Sequence, residues 1–391
     1  MQIAQVSPWF SPHLGGVESH VMTLSAELAS RGHEVTVVTA RDNPASPPSE
    51  VIHGVRVVRV RSRAVLFRTP LAPRIKRVLR GLPADLIHAH SPPPLTSYYA
   101  SVVARERRLP FVVTYHCDAE LASPLGPLVE GFYRRSFGAS TLRRADRVIV
   151  TTRTYAMTSR TVFRYNPLVV PNAVDDRRFR PDVDPSAFRQ AHAVPRDRPV
   201  VLLVARIVPH KGIEHFVEAA RYVRDAVFLV AGEGSSLAAM RALARSLEVS
   251  DRVRFLGRIP EEDLPHLYAA CDVFVLPSVS RLEAFGIAAL EAMATAKPVV
   301  VADIPGLREV IDDGREGLLA EPVNPQDLAE KIRRLLGDPA LREEMGRRGR
   351  EKVLSSFSID RVTDRIEEIY AAVLASKSGQ DTTRSGMRSP A

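Results

Sequence analysis

The 391-residue sequence has little of what stabilises secreted or membrane proteins. Its two cysteines, Cys117 and Cys271, are far apart and outside any C-x-x-C pair. That excludes a disulfide framework and favours buried thiols in a reducing compartment. No window approaches the ~20 apolar residues of a membrane span. A strand pattern begins at Gln2, which leaves no room for a cleavable signal peptide. We therefore predict a cytoplasmic protein without a membrane span.

Acidic residues are scarce in one part of the chain. Residues 1–185 hold 25 Lys+Arg against 15 Asp+Glu, whereas the remainder holds 29 against 30. Residues 51–84 carry nine cations and no acid. This excess of positive charge favours an anionic partner, namely nucleic acid, anionic lipid or a phosphorylated acceptor. The alternative is an ordinary solvated surface. Nucleic-acid binding calls for aromatic residues between the cations, and only Phe67 is present. We predict no nucleic-acid partner.

Short β-branched runs alternate with amphipathic stretches along most of the chain, which indicates an α/β fold with two doubly wound, Rossmann-like parallel sheets. The predicted strands are 2–7, 34–39, 56–60, 85–90, 111–116, 147–152, 168–171, 199–205, 227–231, 253–256, 273–277, 298–302 and 317–319. Residues 172–185 interrupt the pattern and are predicted to link the domains. The predicted parts are a domain at 1–180, a domain at 186–358, a helix at 359–375 that returns to the first domain, and a disordered tail at 376–391.

Two glycines and two cations lie where predicted strands lead into helices. Gly15 and Gly16 follow the first strand, and paired glycines there let a ligand approach the backbone and helix-start amides. Arg206 and Lys211 flank the turn after the strand at 199–205. Arg can contact two phosphate oxygens at once and Lys adds a point charge, so the pair predicts a diphosphate site. The alternatives are an ordinary turn and two solvated cations.

The segment EAFGIAALE places Glu283 and Glu291 eight residues apart in an apolar context. Helical rise separates their α-carbons by roughly 12 Å, and buried carboxylates need partners. A nucleotide-diphosphate sugar is long enough to meet both. We predict that Glu283 binds sugar hydroxyls and Glu291 the ribose diol, with amides at Gly286 facing the phosphates. The alternative is two Glu residues on the solvent face of a helix.

Together these motifs resemble the retaining glycosyltransferases of family 4, which have the GT-B fold of two Rossmann-like domains facing each other across a cleft. The resemblance covers about residues 1–375. It rests on Gly15-Gly16, Arg206 with Lys211, Gly232-Glu233-Gly234, Phe255-Leu256-Gly257-Arg258-Ile259-Pro260 and the Glu283–Glu291 segment. Ala296-Lys297-Pro298 departs from the pattern, because glycine is commoner at its first position.

The resemblance implies roles for individual residues. Arg206 and Lys211 would bind the donor diphosphate, and Glu291 its ribose. The backbone near Arg258 and Ile259 would bind the base, and Glu283 with the amides of Phe285, Gly286 and Ile287 would contact sugar and phosphates. Gly15, Gly16 and Gly232 would line the donor site. His116, at the end of FVVTYH, matches a histidine beside the donor sugar, although by itself it is equally a structural strand-end histidine. The implied catalytic set is His116, Glu283, Arg206 and Lys211.

We predict no metal and no cofactor. Asp182-Val183-Asp184 mimics the Asp-x-Asp metal motif of another glycosyltransferase fold, but it lies between Pro181 and Pro185, away from any predicted strand end. No other acidic or His/Cys cluster is visible in the sequence. Arg206, Lys211 and helix-start amides would instead stabilise the leaving diphosphate.

The sequence thus predicts a retaining, metal-independent hexosyltransferase, with mannose or glucose carried on GDP or UDP. The acceptor would be a hydroxyl of a lipid-linked, saccharide or small-molecule compound. The alternative activity is a nucleotide-sugar 2-epimerase of similar fold, against which the Glu283–Glu291 segment argues. Residues 70–80 place Leu71, Ile75, Val78 and Leu79 on one helical face, apart from Arg74, Arg77 and Arg80. We expect them to form an interfacial helix that docks on anionic membrane at the inner face of the cell membrane. The alternative is that this apolar face packs on the first sheet.

Overall fold

The computed structural model describes residues 1–12, 15–41, 43–66, 69–92, 94–118 and 126–386. The chain folds into two compact units. The first unit comprises Met1–Pro171 and Ile359–Ala391, and the second comprises Asn172–Ser358. Each is built on its own sheet, which confirms the predicted α/β class with two Rossmann-like sheets.

An eight-stranded sheet forms the first unit, in the order β10-β9-β8-β7-β1-β2-β4-β3, and β3 alone pairs antiparallel among its described strand pairs. A separate hairpin joins β5 and β6. The strands are β1 (Gln2–Ser7), β2 (Glu34–Arg41), β3 (Ser49–Ile52), β4 (Val55–Arg61), β5 (Ala64–Leu66), β6 (Thr69–Leu71), β7 (Leu86–Ser91), β8 (Phe111–Tyr115), β9 (Arg147–Val150) and β10 (Leu168–Val169). The helices are α1 (Gly16–Ser30), α2 (Ile75–Gly81), α3 (Pro94–Arg107), α4 (Gly126–Tyr133), α5 (Ala139–Arg144), α6 (Arg153–Thr158) and α14 (Ile359–Gly386).

Helices cover both faces of the first sheet, because side chains alternate along each strand. Ala4 and Val6 of β1 join an apolar core with residues of α2, α3 and α5. The intervening Gln5 points to the other face, where its amide nitrogen donates to the hydroxyl of Tyr370 on α14 at 3.1 Å. The first sheet is therefore doubly wound.

Six parallel strands form the second sheet, in the order β13-β12-β11-β14-β15-β16. The strands are β11 (Val200–Val204), β12 (Val227–Ala231), β13 (Val253–Gly257), β14 (Val273–Leu276), β15 (Val299–Ala302) and β16 (Gly317–Ala320). The helices are α7 (Ser186–Ala191), α8 (Ile213–Ala219), α9 (Leu237–Ser246), α10 (Leu264–Ala269), α11 (Ile287–Ala294), α12 (Pro325–Gly337) and α13 (Pro339–Lys352). Alternate residues of β11 enter two separate apolar cores, so helices cover both faces here too.

Three predictions about connecting segments differ from the structure. Residues 172–185 belong to the second unit, because Phe179 is buried in its core and Val174 bridges to Ser358. The tail predicted to be disordered from residue 376 continues helix α14 through Gly386. Near the start of this tail, Lys377 donates to the carbonyl of Leu109 at 2.8 Å and pairs with Asp146. Residues 387–391 lie outside the described part.

The predicted interfacial helix is the third correction. Residues 69–71 form β6 and α2 begins only at Ile75, whose side chain is fully buried with that of Leu79 in the core of the first unit. The apolar face thus packs on the sheet, and Arg74, Arg77 and Arg80 are exposed. None of the helices in the described ranges has the length and apolar character needed to cross a membrane.

Candidate functional site

The turn after β11 carries the two predicted phosphate-binding cations. Arg206 follows the strand, and Lys211 ends a single 3-10 turn, Pro209–Lys211, before α8. Gly212 closes that turn with φ 63°, and a Cβ here would lie 2.1 Å from the carbonyl oxygen of Pro277. Only glycine combines this positive φ with so close an approach. The turn therefore packs directly against the end of β14.

Glu283 is the buried carboxylate of the site, only 7% exposed. Lys211 Nζ donates to its Oε2 atom, and Ser278 Oγ donates to the same oxygen at 2.9 Å. Burial opposes ionisation of Glu283, but the Lys211 charge and these hydrogen bonds outweigh it and hold the pKa below its usual range. The predicted phosphate-binding lysine and sugar-binding carboxylate thus form one ion pair.

The start of α11 lies three residues beyond Glu283. Gly286 precedes the helix with φ 75°, and the first amides of a helix have no intrahelical acceptor. The Phe285 ring is buried in the core and packs edge-on against Phe357, so its backbone is the part available to a ligand. Ile287 is the first helical residue and is partly exposed. The helix thus begins directly after Gly286, where the sequence predicts helix-start amides.

Glu291 lies in the body of α11 and is partly buried. The Tyr268 hydroxyl donates a hydrogen bond to its Oε2 atom at 2.5 Å. Burial raises the pKa of Glu291 to about 7, although the Tyr268 hydrogen bond opposes the shift. The two carboxylates of one segment therefore differ in ionisation: Glu283 is charged at neutral pH, and Glu291 titrates there.

Gly232, Arg258 and Ile259 follow the neighbouring strands β12 and β13. The Gly232 amide donates to the carbonyl of Gly257 at 2.7 Å, which joins the two strand ends. Ile259 is buried in a core that also contains Phe285, and Arg258 is exposed. The structure thus brings the second-unit site residues to the carboxyl ends of β11–β14, where doubly wound sheets bind ligands.

The remaining site residues, Gly15, Gly16 and His116, belong to the first unit. Gly15 precedes α1 and its carbonyl accepts the Ser19 amide at 2.9 Å. His13 and Leu14, the residues before it, lie outside the described ranges. His116 directly follows β8, is 4% exposed, and its amide donates to the carbonyl of Ser91 at 2.7 Å.

Sequence reasoning missed a buried polar network around His116. Its Nε2 atom lies 3.0 Å from Nδ1 of His90, whose Nε2 lies 2.9 Å from Oε1 of Gln5. The Tyr370 hydroxyl, bound by Gln5, lies 2.7 Å from Nδ1 of His88. Burial, followed by neighbouring histidines, lowers the pKa of His90 and His116 well below 6.5. These imidazoles are therefore neutral at pH 7.

The linker aspartates hold local structure. Asp182 is exposed and pairs with Arg180 at 3.2 Å. Asp184 accepts the Ser186 amide at 2.9 Å beside the start of α7. Neither contact involves a residue of the predicted site.

Comparisons with known proteins match both units. A family model described as Glycosyltransferase Family 4 matches residues 14–178, and one described as Glycosyl transferases group 1 matches residues 184–352. A D-inositol 3-phosphate glycosyltransferase of Nocardia farcinica is 33% identical over 393 residues, which cover 92% of this chain and 85% of the relative.

A GDP-mannose-dependent alpha-(1-6)-phosphatidylinositol monomannoside mannosyltransferase of Mycolicibacterium smegmatis is 29% identical over 363 residues, which cover 89% of this chain and 92% of the relative. Among solved structures, sucrose-phosphate synthase from Thermosynechococcus elongatus is 25% identical with a TM-score of 0.79, and the match covers 96% of this chain and 100% of that one.

The two Rossmann-like units, the charged site at the second sheet and these relatives define a hexosyltransferase, as predicted. The chain belongs to glycosyltransferase family 4 and has the GT-B class of fold.

Proposed function

We propose that this glycosyltransferase moves a hexose from a nucleotide-diphosphate donor to an acceptor hydroxyl, with retention of anomeric configuration and without a catalytic metal. The observation that carries the proposal is the Lys211–Glu283–Ser278 cluster beside the start of α11. It gathers a cation, a charged carboxylate and helix-start amides at the ligand-binding edge of the second sheet.

Arg206 and Lys211 bind the donor diphosphate in this proposal. Charge builds up on the leaving nucleotide diphosphate during transfer, and two cations with the amides at Gly286 and Ile287 stabilise it without reorganising. Lys211 already pairs with Glu283, so the phosphate joins a positioned ammonium group rather than a mobile one. This arrangement supplies the charge stabilisation that a metal supplies elsewhere.

Glu283 and Glu291 bind opposite ends of the donor. Glu283, ionised by its contact with Lys211, accepts hydrogen bonds from sugar hydroxyls. Glu291 accepts hydrogen bonds from the ribose diol, and Tyr268 orients its carboxylate. The backbone near Gly232, Arg258 and Ile259 receives the base. In the first unit, we assign sugar binding to neutral His116 and to Gly15 and Gly16 at the start of α1.

The donor we propose is GDP-mannose or UDP-glucose. Support for mannose on GDP comes from the Mycolicibacterium relative, whose name specifies that donor. Two of the relatives described above are named for inositol compounds, one for D-inositol 3-phosphate and one for phosphatidylinositol monomannoside. A polyol or sugar hydroxyl is therefore the acceptor class we favour.

Peripheral contact with anionic membrane is part of the proposal for a lipid-linked acceptor. Since α2 buries its apolar face, the contact rests on exposed Arg74 and Arg77 and on Val65 and Leu66 of β5, which are 52% and 53% exposed. Each well-placed cation near an anionic surface contributes about 1 kcal/mol. Two cations within residues 51–84 contribute less to membrane binding, because Arg59 is buried against Glu50 and Arg80 pairs with Glu106.

A thermal-shift panel tests the donor assignment. The compounds are UDP, GDP and ADP, and the mannose and glucose esters of each nucleotide. Each compound is added to the wild-type chain and to the Glu291→Gln variant. A ligand at 100 times its Kd adds about 2.7 kcal/mol of stability. We expect one nucleotide series to raise Tm in the wild type and to lose most of that shift in the variant. If none of the compounds raises Tm, the proposed donor class is wrong.

A further inference from the structure

Three histidines that are distant in sequence meet inside the first unit. His20 lies on α1, His90 on β7, and His116 directly after β8. They are 5%, 0% and 4% exposed. One ring nitrogen from each can be chosen so that all three atoms lie within 4.8 Å of one another. We propose that His20, His90 and His116 form a binding site for a divalent transition-metal ion of the zinc class.

The first support is the ring of His20, which has no hydrogen-bond partner in the described part of the chain. Neither Nδ1 nor Nε2 has one among the described residues, although both atoms are buried. Its ring centroid lies 5.2 Å from that of His116 and 5.7 Å from that of His90. An unsatisfied buried polar group costs free energy, and such a group in a native structure calls for an explanation. A metal ion bound to one ring nitrogen would satisfy it.

The second support is the hydrogen bonding of His90. Gln5 donates its amide N–H to Tyr370, which leaves Oε1 to face Nε2 of His90. A carboxamide oxygen only accepts, so Nε2 of His90 carries the proton and Nδ1 keeps a lone pair directed at His116. Histidines that bind metals are oriented in this way, by a hydrogen bond from the other ring nitrogen. Gln5 thus presents His90 as a ligand.

Zinc-class coordination needs only small movements. Zn–N distances of about 2.0–2.1 Å place tetrahedral ligand atoms roughly 3.3 Å apart. The 3.0 Å separation of His90 Nδ1 and His116 Nε2 would lengthen slightly, and His20 would move inward. The proton on His116 Nε2 moves to Nδ1 of the same ring, so binding releases no proton from this pair.

The ligand set also selects the ion. Three imidazoles suit Zn²⁺, Co²⁺ and Ni²⁺, whereas Mg²⁺ and Ca²⁺ require oxygen ligands. His88 is not a fourth ligand, because its two ring nitrogens already contact Tyr370 and Thr114 at 2.7 and 2.8 Å. The fourth tetrahedral position is left for water or an oxygen of a bound molecule.

One consequence rests on the proposed function. A metal ion on Nε2 of His116 would withdraw this ring from the donor sugar, so zinc would inhibit transfer. Metal binding itself requires neither donor nor acceptor and is measured without them. If the donor assignment fails, the proposal of a metal site is unaffected. If the metal site is absent, the donor assignment is unaffected.

The test is a Co²⁺ titration of the chelator-treated, dialysed full-length chain, followed by visible absorption and then by displacement with Zn²⁺. We expect one equivalent of Co²⁺ with the strong absorption of four-coordinate cobalt, abolished by one equivalent of Zn²⁺. His53→Ala, which removes an exposed histidine, is the matched control and should behave as the wild type. His20→Ala and the more conservative His20→Gln should each bind Co²⁺ at least about tenfold more weakly.

Circular dichroism shows whether the His20 variants fold, and the wild-type titration does not depend on them. Weak, multi-site binding with the pale spectrum of six-coordinate cobalt in the wild type would overturn the proposal. Unchanged binding in a folded His20 variant would overturn it as well.

Discussion

The ammonium group of Lys211 donates a hydrogen bond to Oε2 of Glu283, so the cation assigned to the phosphate and the carboxylate assigned to the sugar form one ion pair. Glu283 is buried, and breaking a buried pair by removing one partner leaves an uncompensated charge. The two assignments are therefore coupled. Arg206 lies at the other end of the same turn.

Substitution of the two cations tests the phosphate site. Arg206→Ala and Lys211→Ala each remove a charge from the leaving group, and we expect turnover to fall about 10²–10³-fold in each. Lys211→Ala should also lower Tm, because Glu283 loses its partner. Initial rates and thermal unfolding measure the two effects. Lys331→Ala, which removes a lysine paired with Asp327 on α12, is the control and should change neither. Near-normal transfer by the double variant would refute the assignment of Arg206 and Lys211 to the donor diphosphate.

Substitution of Glu283 and of Glu291 should affect different kinetic parameters. Glu283→Gln should mainly lower kcat, because sugar contacts tighten as charge develops in the transition state. Glu291→Gln should mainly raise the Kd for the nucleotide, because its ribose contact is made equally in ground and transition states. Steady-state kinetics and calorimetric titration with the nucleoside diphosphate separate the two. Equal losses confined to affinity would contradict these roles.

Nucleotide affinity should depend on pH through Glu291. Its pKa is raised to about 7, so the carboxyl is protonated below that pH and ionised above it. Ribose hydroxyls donate to the ionised form, and we expect affinity to rise up to about tenfold between about pH 6 and pH 8, roughly 1.4 kcal/mol. Tyr268→Phe removes a hydrogen bond that lowers this pKa, so the rise should move to higher pH. Calorimetric Kd values across this range measure it. If the nucleotide affinity of the Glu291→Gln variant shows the same dependence on pH, the titrating group is not Glu291.

Much of the fold was predictable from the sequence, because parallel strands buried on both faces are continuous apolar runs. Every predicted strand matches an observed one within two residues at either end. The missed strand β3 lies at the edge of the sheet, and its exposed Ser49 and Val51 give no apolar run. Hairpin β5–β6 was also missed. Apolar residues at helical spacing predicted one helix over residues 70–80, whereas the helix α2 begins only at Ile75.

The site was predictable in part. Arg206, Lys211 and Glu283 each follow a strand, and the sheet order brings those strand ends together. The Lys211–Glu283 pair was missed because spacing alone does not show side-chain direction. The metal prediction relied on finding no histidine cluster in the sequence, and the structure forms one from residues 20, 90 and 116. His90 and His116 end neighbouring parallel strands, and that signal could have placed them together.

Membrane contact predicts salt-dependent binding to anionic vesicles. The wild-type chain should co-sediment with vesicles that contain anionic lipid at low salt and dissociate as salt rises, because the Debye length shortens. Reversing Arg74 and Arg77 to Glu should abolish sedimentation, whereas Arg365→Glu, a change to an exposed arginine on α14, should not. Neutral vesicles are the lipid control. If the chain stays in the supernatant at low salt, the acceptor is soluble or reaches the enzyme without this surface.

A single incubation measures both the stereochemistry of transfer and its dependence on metal ions. The chain is incubated in excess EDTA with α-linked GDP-mannose or UDP-glucose and an inositol or sugar acceptor, while proton NMR follows the anomeric signals of the first-formed product. We expect an α-linked glycoside and an initial rate within about twofold of that without chelator. A tenfold change in rate would correspond to about 1.4 kcal/mol in the activation free energy. A β-linked first product would contradict retention. A rate that collapses in EDTA and returns with Mg²⁺ or Mn²⁺ would contradict the metal-free phosphate site.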